Sequence, residues 1–165
     1  MGNGLYFECK KCNKKYSVLL GVGMIYPTVY KKFTKRIVDG EYGEDLKKVY
    51  IGTKYAVVNA ENMVFICDKC HNWEQGQDPS VYAPNDPIGL AKRRYGDETI
   101  EEWGGLPYAT DSEINEDFHL LKLYQPNCKR CGSLMHKATW EELENLPCPK
   151  CGRPGERGNY WLQWD

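Results

Sequence analysis

Residues 62–73 read NMVFICDKCHNW: an asparagine, four apolar residues, then a C-x-x-C pair running into His-Asn. The apolar run favours a strand, and the polar residues after the pair favour a turn. Residues 6–20, YFECKKCNKKYSVLL, repeat the layout with a strand-forming segment on either side of a pair. All eight cysteines fall into such pairs, Cys9/Cys12, Cys67/Cys70, Cys128/Cys131 and Cys148/Cys151, and none is left over. In a reducing compartment, pairs this tight indicate metal rather than structural disulfides. Two intervening residues let both thiolates reach one ion at about 2.3 Å. Two pairs complete a tetrahedral site, so four pairs imply two Zn2+, with all eight cysteines as ligands.

Pairing in sequence order is the expected arrangement. The third and fourth pairs are separated by sixteen residues, an ordinary ribbon spacing, and the first and second by fifty-four. Lengthening a loop costs only about 0.6 kcal/mol per doubling, so the longer gap is acceptable. Crossing the pairs would bring Cys9/Cys12 to Cys148/Cys151 across the whole chain. The expected fold is therefore α+β: two zinc ribbons, each a small antiparallel sheet, the first with a helical insertion. The expected domains are residues 1–75 as the first ribbon, 76–117 as an acidic connector and 118–165 as the C-terminal ribbon.

Three resemblances attach to these motifs. NMVFICDKCHN resembles the closing part of the HNH endonuclease motif, which would make Cys9/Cys12 the other half of a zinc finger. That chemistry needs a histidine upstream to activate water. Residues 13–66 contain none, and the only histidines are His71, His119 and His136. The segment reads instead as a zinc clip, with His71 a turn residue. CKRCG and CPKCG resemble rubredoxin knuckles, each ending in Gly, which leaves iron open at the second site; CKKCN and CDKCH lack that Gly. Finally, LGVGMIYPTVY (residues 20–30) after a C-x-x-C is similar to a group of small bacterial proteins, chiefly clostridial, and that resemblance implies no activity.

Between the first two pairs, Pro27 suits a helix's first turn and Gly40 suits its C-terminal stop. Tyr30, Phe33 and Ile37 form a core-facing stripe at i, i+3 and i+7, with Lys31, Lys32, Lys35 and Arg36 on the other side. A shorter helix is expected over Glu44–Tyr50. The GVG at 21–23 lacks the rest of a phosphate-loop signature and reads as a strand exit. In the connector, QDPSVYAPNDP reads as turns, PIGLAKRRYGDETIEEWGG as short helical stretches, and Asp111, Glu113, Glu116 and Asp117 as a solvated acidic loop. In the last part, FHLLKLYQ reads as a strand, Thr139-x-x-Glu142 as a capping box, and NYWLQWD as a final strand. Trp140, Tyr160 and Trp161 are expected over the small core.

The formal net charge of −1 hides an asymmetry: residues 10–54 carry a net +7 and residues 55–127 a net −8. The basic part offers Lys10, Lys11, Lys14, Lys15, Lys31, Lys32, Lys35 and Arg36 as a nucleic-acid-binding set. The expected function is a non-enzymatic double zinc-ribbon module touching nucleic acid. The alternatives are a protein-interaction adaptor, binding an acidic protein surface, and a divergent HNH-like nuclease. No membrane span, secretory signal or small-molecule substrate is evident, Tyr6 stands where a myristoylation motif wants Ser or Thr, and a cytoplasmic location is expected.

Overall fold

The computed structural model describes residues 2–23, 26–96, 109–158 and 162–164, with residues 26, 27, 95 and 162–164 described by their backbone alone. The chain is α+β, with two small antiparallel sheets. In chain order the elements are β1 (Gly2–Glu8), β2 (Lys15–Leu20), α1 (Tyr26–Val38), α2 (Glu44–Gly52), β3 (Val57–Cys67), β4 (Trp73–Pro84) and α3 (Pro87–Tyr95). There follow α4 (Asp111–Asp117), β5 (Phe118–Lys122), β6 (Met135–Lys137), α5 (Trp140–Glu144), β7 (Glu156–Arg157) and β8 (Leu162–Trp164). Among the described residues no helix is long and apolar enough to cross a membrane.

Two compact units form, each assembled from separated segments. The first comprises Met1–Met24, Asn62–Gln77 and Gln125–Asp165; the second comprises Ile25–Glu61 and Asp78–Tyr124. The helical insertion and the acidic connector thus fold together as the second unit, while all four cysteine pairs lie in the first.

In the first unit β1 pairs with β2 along one edge, from Asn3↔Leu20 to Glu8↔Lys15. Its other edge takes β8 on Gly2–Gly4 and β7 on Phe7 and Glu8. The final strand therefore closes against the first strand of the chain rather than within a C-terminal ribbon. Alternation puts Leu5 and Phe7 of β1 and Tyr16, Val18 and Leu20 of β2 inward, where Val64 and Ile66 of β3 and Leu143 and Leu146 meet them. Phe7 stacks on Tyr16 at 5.1 Å between ring centroids, and the Tyr16 hydroxyl donates to the Leu146 carbonyl at 2.6 Å. Gly155 is required beside that pair, because a Cβ there would meet Tyr16 Oη at 2.0 Å. The expected capping box at Thr139 and Glu142 starts α5. Trp140 does not cover the core: it is 65% exposed, since the inward side of so short a helix is taken by Leu143. Tyr160 and Trp161 lie outside the described residues.

In the second unit α1 forms with the expected stripe, and Tyr30, Phe33 and Ile37 are all buried. A positive φ of 84° at Gly40 follows the helix, and α2 begins at Glu44 as expected. Two connector expectations are corrected. QDPSVYAPNDP falls mostly within the long strand β4, not a run of turns. β5 pairs only Val81–Pro84 of this strand, so Pro79 lies beyond that stretch. The residues read as an acidic loop form α4, opened by a Thr110–Glu113 capping box and tied to α3 through the ion pairs Arg94–Glu113 and Arg93–Asp117. FHLLKLYQ supplies β5 to this unit, paired with β4. Its core gathers Val57, Leu90, Ala109, Ile114 and Phe118.

Candidate metal centre

Each cysteine pair sits in the same backbone knuckle. The residue four places after the first cysteine donates its N–H to that cysteine's carbonyl: Asn13 at 2.7 Å, His71 at 3.0 Å, Gly132 at 2.8 Å and Gly152 at 2.8 Å. The first cysteine's own N–H is accepted by the carbonyl five places on, Lys14, Asn72, Ser133 or Arg153, at 2.7–3.0 Å. This closure needs a left-handed residue at the fourth place, and φ there is 54°, 54°, 74° and 72° in the same order. Asn and His are among the few side chains that tolerate that region, so Asn13 and His71 do the work of the two glycines. His71 is thus placed as a turn residue, as expected from the sequence.

Gly152→Val should cost about 1–2 kcal/mol because a β-branched side chain is forced left-handed, whereas His71→Gly should leave thermal stability unchanged or slightly raised. Melting of metal-loaded variants measures both. Loss of a metal ion in His71→Gly would show that the imidazole is a ligand.

The four knuckles meet in two quartets, Cys9–Cys12–Cys148–Cys151 and Cys67–Cys70–Cys128–Cys131, with all sulfurs of a quartet within 4.8 Å of one another. This corrects the expected pairing. Cys9 Sγ lies 3.5 Å from Cys151 Sγ and Cys12 Sγ 3.6 Å from Cys148 Sγ. In the other quartet Cys67 meets Cys131 at 3.4 Å and Cys70 meets Cys128 at 3.7 Å. Strand partners decide the matter. The edge of β1 that carries Cys9 is paired by β7, just beyond Cys151, and β3 is paired by β6 with Cys67 opposite Met135. The pairing implied by the HNH resemblance, Cys9/Cys12 with Cys67/Cys70, does not form.

The sulfurs are too far apart for disulfides, whose bond length is about 2.05 Å. They fit a metal well: a tetrahedron of thiolates about 2.3 Å from one ion has sulfurs about 3.8 Å apart. Backbone N–H groups support them, from Cys70 to Cys67 Sγ at 3.5 Å and from Arg130 to Cys128 Sγ at 3.4 Å. The thiols of a quartet cannot all ionise unaided. The Ser133 amide holds Cys131 down to about 6. At Cys70 the Asn72 amide also pulls downward, but burial and three neighbouring sulfurs outweigh it and push the thiol up to about 12. The other quartet divides likewise: the Cys12 amide brings Cys9 to about 7, while burial and neighbouring sulfurs overcome the Lys14 amide and carry Cys12 to about 11. A divalent cation removes that conflict by replacing the protons.

A histidine braces the second knuckle. His136 on β6 contacts Asp68 at 2.5 Å through Nδ1 and Glu142 at 2.9 Å through Nε2. Its pKa is raised, first by the Asp68 hydrogen bond and then by that of Glu142. A raised folded-state pKa contributes stability that is complete below the unfolded value of about 6.5 and lost as pH rises through the folded value. The His136 side chain is 39% exposed, so the contribution is about 0.5 kcal/mol. His136→Gln should therefore lower the melting temperature relative to wild type more at about pH 6 than at about pH 8.5. Equal losses at both would show that the bridge carries no charge.

The expected nucleic-acid set divides between the units. Lys10, Lys11, Lys14 and Lys15 surround the first knuckle, all exposed, with Lys10 paired to Glu156. Lys31, Lys32, Lys35 and Arg36 lie on the exposed face of α1 in the second unit, where Asp39 holds Lys35 at 2.5 Å and Glu41 holds Arg36 at 2.7 Å. A further signal is present in the cysteine pairs themselves. Each reads C-x-[Lys/Arg]-C, through Lys11, Lys69, Arg130 and Lys150. Comparison with family models, with curated proteins and with solved structures finds no match for the chain.

Proposed function

We propose that this chain is a non-enzymatic module that binds two zinc ions in ribbon-like knuckle pairs and contacts nucleic acid through the lysines of its first knuckle. The observation that carries the metal half is the gathering of eight sulfurs into two quartets with amide support. Zinc suits an all-thiolate tetrahedral site that needs no redox change. Support for the second half comes from Lys11, Lys14 and Lys15, exposed and with no counter-ion among the described residues. A zinc–tetrathiolate centre carries a net charge of about −2, which these three lysines exceed. On α1, Lys31 and Lys32 alone have no acidic partner among the described residues, so the first knuckle carries more of the weight.

Metal analysis should find two zinc ions per chain, and red, iron-loaded protein from metal-balanced medium would argue for rubredoxin-like sites. Binding to random-sequence DNA and RNA should weaken steeply between about 50 mM and about 200 mM salt. Reversing Lys11, Lys14 and Lys15 to Glu should flatten that dependence by about 0.7–0.9 per lost phosphate contact. No binding at the lower salt would end the nucleic-acid reading.

One observation favours the adaptor. Among the described residues β5 pairs with β4 alone and exposes Leu120 and Leu121, with Leu123 beyond, at 48%, 38% and 53%. An apolar edge strand is a surface onto which another chain can pair. A partner that Leu121→Lys releases, in a chain that ignores nucleic acid, would select this reading. The nuclease alternative has no zinc finger of the implied pairing behind it. Zinc-loaded protein with magnesium or manganese should leave plasmid and RNA intact.

A further inference from the structure

Within the first unit a cleft of about 450 Å³ opens between the two quartets. The second knuckle contributes His71, Asn72 and Trp73 to its wall, the third Arg130, and the fourth Pro149 and Lys150. The Trp73 indole is held in place: its Nε1 donates to the Pro147 carbonyl at 2.7 Å, and the ring packs beside Tyr16 at 6.1 Å. Among the described residues no carboxylate lines the cleft and none pairs with Arg130 or Lys150. The cleft thus combines a fixed aromatic surface, two cations without acidic partners and a volume suited to a small ligand, since such pockets span about 300–1,000 Å³.

We propose that this cleft binds one unpaired nucleotide of a single-stranded nucleic acid, its base against the Trp73 indole and its flanking phosphates on Arg130 and Lys150. This rests on the nucleic-acid reading above and gives it a strand type. Stacking on an aromatic ring is open to any base, because every base has a π-face, and is worth about 1–3 kcal/mol. A duplex keeps its bases stacked inside, so it can offer phosphates to the knuckles but no base to the indole. The bland account of the two cations is that they offset the charge of the neighbouring tetrathiolate centres. That account places their effect on metal affinity, which makes the two separable.

The test uses the full zinc-loaded chain and fluorescence anisotropy. The probes are a labelled oligothymidine of about twelve nucleotides and a duplex of equal length, at about 50 mM and about 200 mM salt. The oligothymidine should bind more tightly than the duplex. The double substitution Arg130→Ala and Lys150→Ala, on exposed side chains, should keep both zinc ions, weaken oligothymidine binding about tenfold and flatten its log–log salt slope by about 1.4. Trp73→Leu should weaken the oligothymidine about 5- to 150-fold and leave the duplex unchanged. Because it also removes the Pro147 hydrogen bond, its zinc content is measured beside it, and the double substitution decides if it fails to fold. Wild-type binding that the double substitution leaves intact, or duplex binding as tight as single-stranded, overturns the cleft while the broader reading survives. Loss of zinc with nucleic-acid affinity retained assigns the cations to the thiolates and also overturns it. No binding of either probe by wild type removes both proposals.

Discussion

Cys148→Ser is expected to release one of two metal ions and to unfold the sheet around β1 that its quartet ties together, while the Cys67 quartet keeps its ion. The lost quartet ties Cys9 and Cys12 to Cys148 and Cys151, positions 136 to 142 residues apart. Structural zinc sites contribute apparent free energies of about 10–16 kcal/mol, as much as the whole stability of a typical domain, about 5–15 kcal/mol. Losing one is therefore enough to unfold the part of the unit that it ties together. The same logic tests the pairing itself. Cys9→Ser combined with Cys148→Ser removes two ligands of one site, so it should still leave one ion and cost no more than either change alone. Cys67→Ser combined with Cys148→Ser touches both sites and should leave none. Pairing in sequence order puts Cys148 in a different site from both Cys9 and Cys67, so it predicts no ion in either variant, and the first variant decides. Metal analysis of the two double variants, with circular dichroism before and after chelation, distinguishes them.

Phe7→Ala has the second largest expected effect. Phe7 is fully buried, stacks on Tyr16 and shares its cluster with Cys9 and Cys148. Truncating a buried phenylalanine costs about 3–5 kcal/mol through lost transfer energy and the cavity left behind. Here the cavity lies beside two ligands of one quartet, so metal affinity at that site should fall with stability. Phe33→Ala is the matched control: it is 1% exposed, sits against Tyr42 in the second unit and should cost a similar amount. It should leave both metal ions in place. Competition with a chromophoric chelator during thermal unfolding reads both quantities. Parallel metal loss in the two variants would mean that metal binding depends on the second unit as well.

Local chemistry was legible without the fold. The C-x-x-C spacing marked every cysteine of the two quartets, the stripe Tyr30, Phe33 and Ile37 marked the buried side of α1, and Thr139 with Glu142 marked the start of α5. The turn role of His71 was readable too, although its reason, a left-handed backbone shared with Asn13, Gly132 and Gly152, appears only when the four knuckles are compared. Such features depend on a few neighbouring residues, so the sequence by itself determines them.

Which knuckles meet was decided by the tertiary structure. Sequence separation was a poor guide, because loop closure varies only with the logarithm of length. Choosing partners 136 to 142 and 58 to 64 positions apart, instead of the adjacent pairs, adds about 2 kcal/mol of closure entropy. Burying a single large apolar side chain returns about 1.5–3 kcal/mol, and Phe7, Tyr16 and Leu146 gather around the joined first and fourth knuckles. Strand pairing adds to this, with β7 beside β1 and β6 beside β3. The same balance drew the insertion and the connector into one unit around Val57, Leu90 and Phe118. Burial and pairing between distant segments outweigh a logarithmic penalty, and no local pattern in the chain announces which distant segments will meet.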